Sequence, residues 1–87
     1  MNKMSPKIIE VNILSDYKLL LKFDSKEQRV FDVELYLKYE VFSPLKDKNE
    51  FRNYYIDFGT VCWKCGADLS RDTLYLKSRQ YIDAKEM

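Results

Sequence analysis

Histidine is absent from this sequence of 87 residues. It is the usual general base near neutral pH and the most frequent metal ligand in proteins. Its absence excludes serine triads that use an imidazole base, and it excludes histidine-based zinc sites built within one chain. Catalysis or metal binding would therefore have to depend on the carboxylates and the cysteines.

Cysteine is scarce as well, and long apolar runs are missing. Two cysteines are too few for the disulfide framework of a small secreted domain. No apolar run approaches the roughly 20 residues that span a bilayer, and residues 1–7 lack the apolar segment of a signal peptide. We therefore expect a cytoplasmic protein with no membrane partner.

The charges are almost balanced, because 15 basic residues are opposed by 14 acidic ones and the net charge is +1. A dedicated nucleic-acid-binding protein usually carries a clear basic excess. The charge therefore does not indicate a nucleic-acid partner, although the basic residues of the first strands leave this alternative open. They are Lys18, Lys22, Lys26 and Arg29.

The length and composition indicate one ordered domain over residues 1–87. The sequence is 46% hydrophobic and 33% charged, with both signs mixed, which is typical of globular proteins. A chain of this length buries only a small core, so a second domain is not expected. Residues 1–6 and 82–87 are predicted to be loose ends.

Alternation between apolar and polar residues is present and predicts strands. The five segments that show it are residues 7–14, 17–23, 27–33, 54–58 and 60–63. Short polar turns separate the first three, which predicts a three-stranded antiparallel meander. In the first of these strands, Ile9, Val11 and Ile13 are predicted to share the buried face.

Capping residues predict the helices. Asp47 is placed to cap a short helix through Phe51, and Ser70 is placed to cap a helix that runs to about Arg79. Between the strands and these helices, residues 42–45 fit a loop that inserts apolar side chains into the core. We therefore predict an α+β fold: an antiparallel sheet of about five strands with one or two short helices packed on one face.

Residues from the third strand to the second predicted helix carry a family resemblance. They are Asp32-Val33, Phe42 to Asp47, Phe51, Gly59 to Ser70 and Leu74-Tyr75. They resemble the bacterial family called domain of unknown function 2442, over roughly residues 8–77. Where proline and asparagine commonly follow Trp63 in that family, this chain has Lys64 and Cys65.

The resemblance implies a small α+β fold with no established activity. Members of the family occur alone or fused to a helix-turn-helix segment, and some lie beside genes of the toxin type. By analogy, the resemblance implies a small binding partner or regulator.

Cys62 and Cys65 form a Cys-x-x-Cys motif, which can exchange thiols and disulfides where it opens a helix. Here the pair lies at a strand end, and the predicted helix begins several residues later. Two cysteines also supply only half of the about four ligands that zinc needs. A thiol redox protein stays an alternative, but we expect no cofactor and no metal. The aspartates fit turns and caps, so no catalytic residue is predicted.

Tyrosine is more abundant than a core of this size requires, with seven in the chain. Aromatic side chains with a polar end are enriched at protein contacts. We therefore predict a non-enzymatic binding or regulatory module that contacts a protein partner or a second copy of itself. The residues predicted to make this contact are Leu20, Tyr36, Tyr39, Phe42, Trp63, Asp68 and Tyr75.

Overall fold

The computed structural model describes residues 5–81, which form an α+β fold with two antiparallel sheets. Of the ends predicted to be loose, residues 1–4 and 82–87 lie outside the described part of the chain. The strands are β1 (Ile8–Ile13), β2 (Lys18–Phe23), β3 (Gln28–Asp32), β4 (Tyr54–Asp57), β5 (Thr60–Trp63), β6 (Asp68–Leu69) and β7 (Arg79–Gln80). The α-helices are α1 (Lys48–Arg52) and α2 (Arg71–Leu76), and two 3-10 helices span Val33–Tyr36 and Glu40–Lys46.

The first sheet has the strand order β1-β2-β3-β7, and its first three strands are the predicted meander. In β2 the alternation sends Leu19, Leu21 and Phe23 into the core, where all three are fully buried. The β1–β2 hairpin turns at Asp16 and Tyr17, whose φ angles of 34° and 66° are both positive. Two positive φ angles are what a type I′ turn requires.

The predicted buried face of β1 is wrong at one residue. Ile9 is 63% exposed, whereas Ile8 and Val11 are buried. The pairing register with β2 shifts between Ile8 and Glu10, so Ile9 is the extra residue of a β-bulge. Strict alternation cannot anticipate a bulge, because the extra residue changes which side chains face the core.

The strands predicted at 54–58 and 60–63 do not extend the first sheet but form a second one, with the order β4-β5-β6. Their hairpin turns at Phe58 and Gly59, again with two positive φ angles. Strands β6 and β7 were not predicted. Each has only two residues, and two residues show no periodicity.

Both predicted helix caps are confirmed. Asp47 Oδ1 accepts a hydrogen bond of 2.9 Å from the backbone N–H of Asn49 at the start of α1. Ser70 Oγ accepts one of 3.2 Å from Thr73 N at the start of α2. Each cap satisfies a backbone donor that has no partner within its helix.

Two helical segments differ from their predictions. Helix α2 ends at Leu76, before the predicted end near Arg79, because residues 79–80 return to pair with β3. The predicted loop at 42–45 lies within a 3-10 helix. It nevertheless inserts Phe42 and Leu45 into the core, as expected.

One core joins the two sheets. Val61 and Trp63 of the second sheet belong to the same buried cluster as the inward residues of β2. Two hydrogen bonds also cross between the sheets: Ile8 N donates to Gly59 O at 3.1 Å, and Tyr54 OH donates to Val11 O at 2.9 Å. The second sheet therefore packs on the meander as part of the same structural unit.

Candidate protein-binding surface

The structure brings three of the predicted contact residues together in a row. Tyr39 N donates to Tyr36 O and Phe42 N donates to Tyr39 O, both at 3.0 Å. Hydrogen bonds between residues three apart are those of a 3-10 turn, in which side chains at that spacing lie on the same side. The two turns meet at Tyr39, whose ψ of 141° is extended, so ring contacts rather than one continuous helix bring the three side chains together. We call Tyr36, Tyr39 and Phe42 the aromatic ridge.

Ring contacts hold the aromatic ridge in place. The Tyr36 ring lies 5.9 Å from Phe42, 6.3 Å from Tyr39 and 5.3 Å from the core residue Phe31, measured between ring centroids. Phe42 is buried, Tyr36 is half-buried, and Tyr39 is 51% exposed. The ridge therefore extends from the core to the surface. At its exposed end, Lys38 Nζ lies 5.4 Å from the centroid of the Tyr39 ring.

The other four predicted contact residues lie on different elements. Leu20 is half-buried in β2, where it pairs with Val30, and Asp68 is exposed in β6. Trp63 is 1% exposed, and its Nε1 donates to Phe51 O at 2.8 Å. Trp63 is thus a core residue that offers no surface to a partner in this structure.

Tyr75 has its hydroxyl engaged within the chain. Its OH donates to the Glu27 carboxylate at 2.8 Å, and this hydrogen bond raises the pKa of the Tyr75 phenol. The Arg29 guanidinium lies 4.7 Å from the centre of the Tyr75 ring, and the Tyr75 and Phe23 rings make a T-shaped contact. These contacts attach helix α2 to the first sheet.

The cysteines of the Cys-x-x-Cys motif are both free thiols. Cys62 is half-buried in β5, with Sγ 3.8 Å from Thr60 Oγ1, and Cys65 is exposed in the turn that follows. Helix α2 begins only at Arg71, so the motif does not open a helix. Within residues 5–81, no group of three or more cysteine, aspartate or glutamate side chains is arranged to hold a metal ion.

Three of the four cations considered for nucleic-acid binding, Lys18, Lys22 and Arg29, have carboxylate neighbours. Lys22 Nζ lies 3.6 Å from Glu10, and Arg29 lies 3.6 Å from Glu27. A hydrogen bond from Asn12 and the positive charge of Lys22 lower the pKa of the Glu10 carboxyl. Carboxylates beside the cations reduce the positive potential that would attract phosphates.

The sequence reasoning missed an exposed apolar hairpin. In β4, Tyr55 is 49% exposed and Ile56 is 38% exposed, and Phe58 at the β4–β5 turn is 88% exposed. A sequence signal was available, because a bulky phenylalanine directly precedes the glycine of a tight turn. The alternation predicts Phe58 only as the last residue of a strand.

Comparison with known proteins identifies the family of this chain but no activity. No curated protein and no solved structure matches it. Among the described helices, none is long and apolar enough to cross a membrane. The family described as Protein of unknown function (DUF2442) matches residues 8–80, which is most of the chain. The chain therefore belongs to the DUF2442 family, as the resemblance in its sequence predicted.

Proposed function

We propose that this protein is a non-enzymatic binding module that contacts another protein through the aromatic ridge. The observation that supports this most directly is the exposure of apolar side chains on the ridge and at residues that adjoin it in sequence. Tyr39 is 51% exposed, Val41 is 57% exposed and Leu35 is 67% exposed. Covering such side chains with a partner removes apolar surface from water, which favours association.

The ridge is also arranged for contact at low entropic cost. Tyr36 is already fixed by stacking on Phe31 and by its contact with Phe42, so it loses little freedom when a partner binds. Tyrosine adds a hydroxyl that can form hydrogen bonds at the rim of an interface. This combination of a fixed base and an exposed tip is typical of residues that contribute strongly to protein binding.

The partner class we propose is a small protein of the toxin type, which is the class the family resemblance implies. A module of this kind acts by covering the working surface of its partner, so it needs no catalytic group of its own. Two free thiols, Cys62 and Cys65, suit a reducing compartment, so we place this role in the cytoplasm.

Size-exclusion chromatography with light scattering, followed by a pull-down from the native host, tests the proposal. Wild-type protein should form a defined complex or a homodimer, and Tyr39→Ser should weaken that association at least tenfold. The matched control is Leu76→Ser, because Leu76 is 69% exposed at the end of α2, an element that contributes no residue to the ridge. A monomer without a partner, or a Tyr39→Ser variant that binds like wild type, would contradict the proposal.

A further inference from the structure

Phe58 combines backbone strain with almost complete exposure. Its φ of 52° lies in the left-handed region, and its side chain is 88% exposed, more than any other large apolar residue described. Asparagine, aspartate or glycine normally occupies this position of a type I′ turn, because they tolerate a positive φ. Phe58 thus gains little burial within the fold and is an unfavourable choice for the turn.

The hairpin tip that carries Phe58 is fixed to the rest of the molecule. Gly59 O accepts a hydrogen bond from Ile8 N at 3.1 Å, and Thr60 Oγ1 donates to Asp57 O at 2.7 Å. The tip is also in close contact with the residue that precedes β1, since a Cβ added to Gly59 would lie 2.8 Å from Lys7 Cβ. The turn therefore presents the Phe58 ring from a defined position rather than from a free loop.

The chemistry around the tip restricts the kind of partner. From residue 54 to residue 63 the hairpin has one charged side chain, Asp57, and the stem of Lys7 lies against Gly59 at its tip. Membrane surfaces and nucleic acids both attract segments rich in basic residues. A tip with one carboxylate and one neighbouring lysine is not rich in basic residues. With Tyr55 and Ile56 partly exposed in the same hairpin as Phe58, it instead fits a protein surface.

We propose that Phe58 is an anchor that inserts into an apolar pocket of a partner protein, with a basic side chain at the pocket rim opposite Asp57. A single aromatic side chain that fills a pocket often dominates an interface. A fixed turn reduces the entropy lost on binding, which gives a reason for the strained position. This contact goes beyond the aromatic ridge and shares no residue with it, but it rests on the proposal that the protein is a binding module.

The first test replaces Phe58 with asparagine. Phe58→Asn creates Asn-Gly, the preferred type I′ sequence, so the melting temperature should stay the same or rise. A fall in the melting temperature would show that Phe58 supports the fold and would overturn the proposal. Because this variant relieves strain, any loss of binding can be separated from a loss of folding.

The second test identifies the partner by photo-crosslinking of the full chain in the native host. The photoreactive amino acid p-benzoylphenylalanine replaces Phe58, and a control chain carries it in place of Leu76. We expect a protein adduct specific to the Phe58 position that excess wild-type chain suppresses and excess Phe58→Asn chain does not. Purified partner should then bind Phe58→Asn at least tenfold more weakly than wild type.

Other outcomes would overturn the anchor proposal. Adducts to lipid, to nucleic acid or only to a second copy of this chain would show a different partner class, and equal labelling from Leu76 would show no specific contact. If Tyr39→Ser abolishes binding to the purified partner while Phe58→Asn binds like wild type, the anchor proposal is wrong and the ridge proposal is supported. If neither the wild-type chain in the pull-down nor the photoreactive Phe58 chain captures a protein partner, both proposals are wrong.

Discussion

At the scale of single residues, aromatic side chains use their polar ends to connect distant parts of the chain. Tyr17 OH donates to the backbone carbonyl of Lys46, and Trp63 Nε1 donates to that of Phe51. Each bond satisfies a carbonyl in the segment from 40 to 52, where short helices leave backbone groups without internal partners. These aromatics therefore hold that segment against the strands as well as filling the core.

Replacing Trp63 should be costly, because it removes volume and a buried hydrogen bond at once. We expect Trp63→Phe to lower the free energy of unfolding by about 2–4 kcal/mol. Urea unfolding followed by far-UV circular dichroism measures this. Tyr39→Phe is the surface control and should change the free energy by less than about 0.5 kcal/mol. A Trp63→Phe variant as stable as wild type would contradict the assigned role of the indole.

Tyr75 should titrate at a higher pH than an unperturbed tyrosine. The hydrogen bond to Glu27, followed by burial and the negative charge of Glu27, raises the pKa of its phenol above the ordinary value of about 10. The folded state thus holds this proton more tightly, so the stabilisation is present below the ordinary pKa and is lost as pH rises through the raised one. NMR titration of the wild-type protein with tyrosine labelled at Cζ should show a raised pKa for Tyr75. In the Glu27→Gln variant that pKa should return towards the ordinary value. If no tyrosine pKa moves in that variant, the coupling is absent.

Residue-level features could be predicted from the sequence where they are local. The caps at Asp47 and Ser70 depend on a side chain and a backbone group a few residues away, and both are present. The contact from Trp63 to Phe51 joins residues 12 apart in sequence, and the exposure of Phe58 depends on how a hairpin meets β1. Such pairings follow from the tertiary arrangement, which residue types alone do not specify.

At the scale of elements, turns determine the architecture more than strand composition does. The β1–β2 and β4–β5 hairpins each place two residues at positive φ, and only one of these four residues, Gly59, is a glycine. The others are Asp16, Tyr17 and Phe58. Strands β1 to β5 were predictable because four or more residues show alternation. The two-residue strands β6 and β7 could not be predicted in this way, because only their pairing with a neighbouring strand defines them.

The two glycines should respond differently to alanine. Gly59 has a φ of 75° and no room for a Cβ, which would lie 2.8 Å from Lys7 Cβ and 3.3 Å from Lys7 Cα. Gly66 has a φ of 102° but nothing within 4 Å of an added Cβ. We expect Gly66→Ala to cost about 1 kcal/mol through its backbone alone, and Gly59→Ala to cost about 2 kcal/mol or more.

Thermal and urea unfolding of the two alanine variants measure this difference. Equal losses of stability would mean that β1 moves away from the hairpin without cost. Hydrogen exchange at the Ile8 amide is the more specific readout, because it donates to Gly59 O. It should exchange faster in Gly59→Ala than in Gly66→Ala.

At the scale of the whole molecule, the two sheets form one thin body. The principal extents are 37 × 34 × 19 Å, and stacked layers lie about 10 Å apart, so only about two layers fit across the short axis. The strands divide between two sheets because the first three pair locally, while the β4–β5 hairpin meets β1 through only a few bonds. The α+β class could be predicted from the sequence, whereas the division into two sheets could not.

A shared core predicts that the two sheets unfold together. Trp63 fluorescence reports on the second sheet, and far-UV circular dichroism reports mainly on the larger first sheet. Both signals should give the same midpoint and slope in urea, as expected for a two-state domain. An earlier fluorescence transition would mean that the second sheet opens on its own, which would contradict the continuous core.

Strand β7 has a consequence for synthesis on the ribosome. Its residues Arg79 and Gln80 pair with β3 some fifty positions earlier, and Arg29 donates to Ser78 O across the same junction. A nascent chain completes the β1–β3 meander long before this covering segment emerges, so the outer edge of β3 stays open during translation. Unpaired edges recruit other strands. We therefore expect the edge of β3 at Arg29 and Val30 to be more open to pairing with other strands during translation than after β7 has formed.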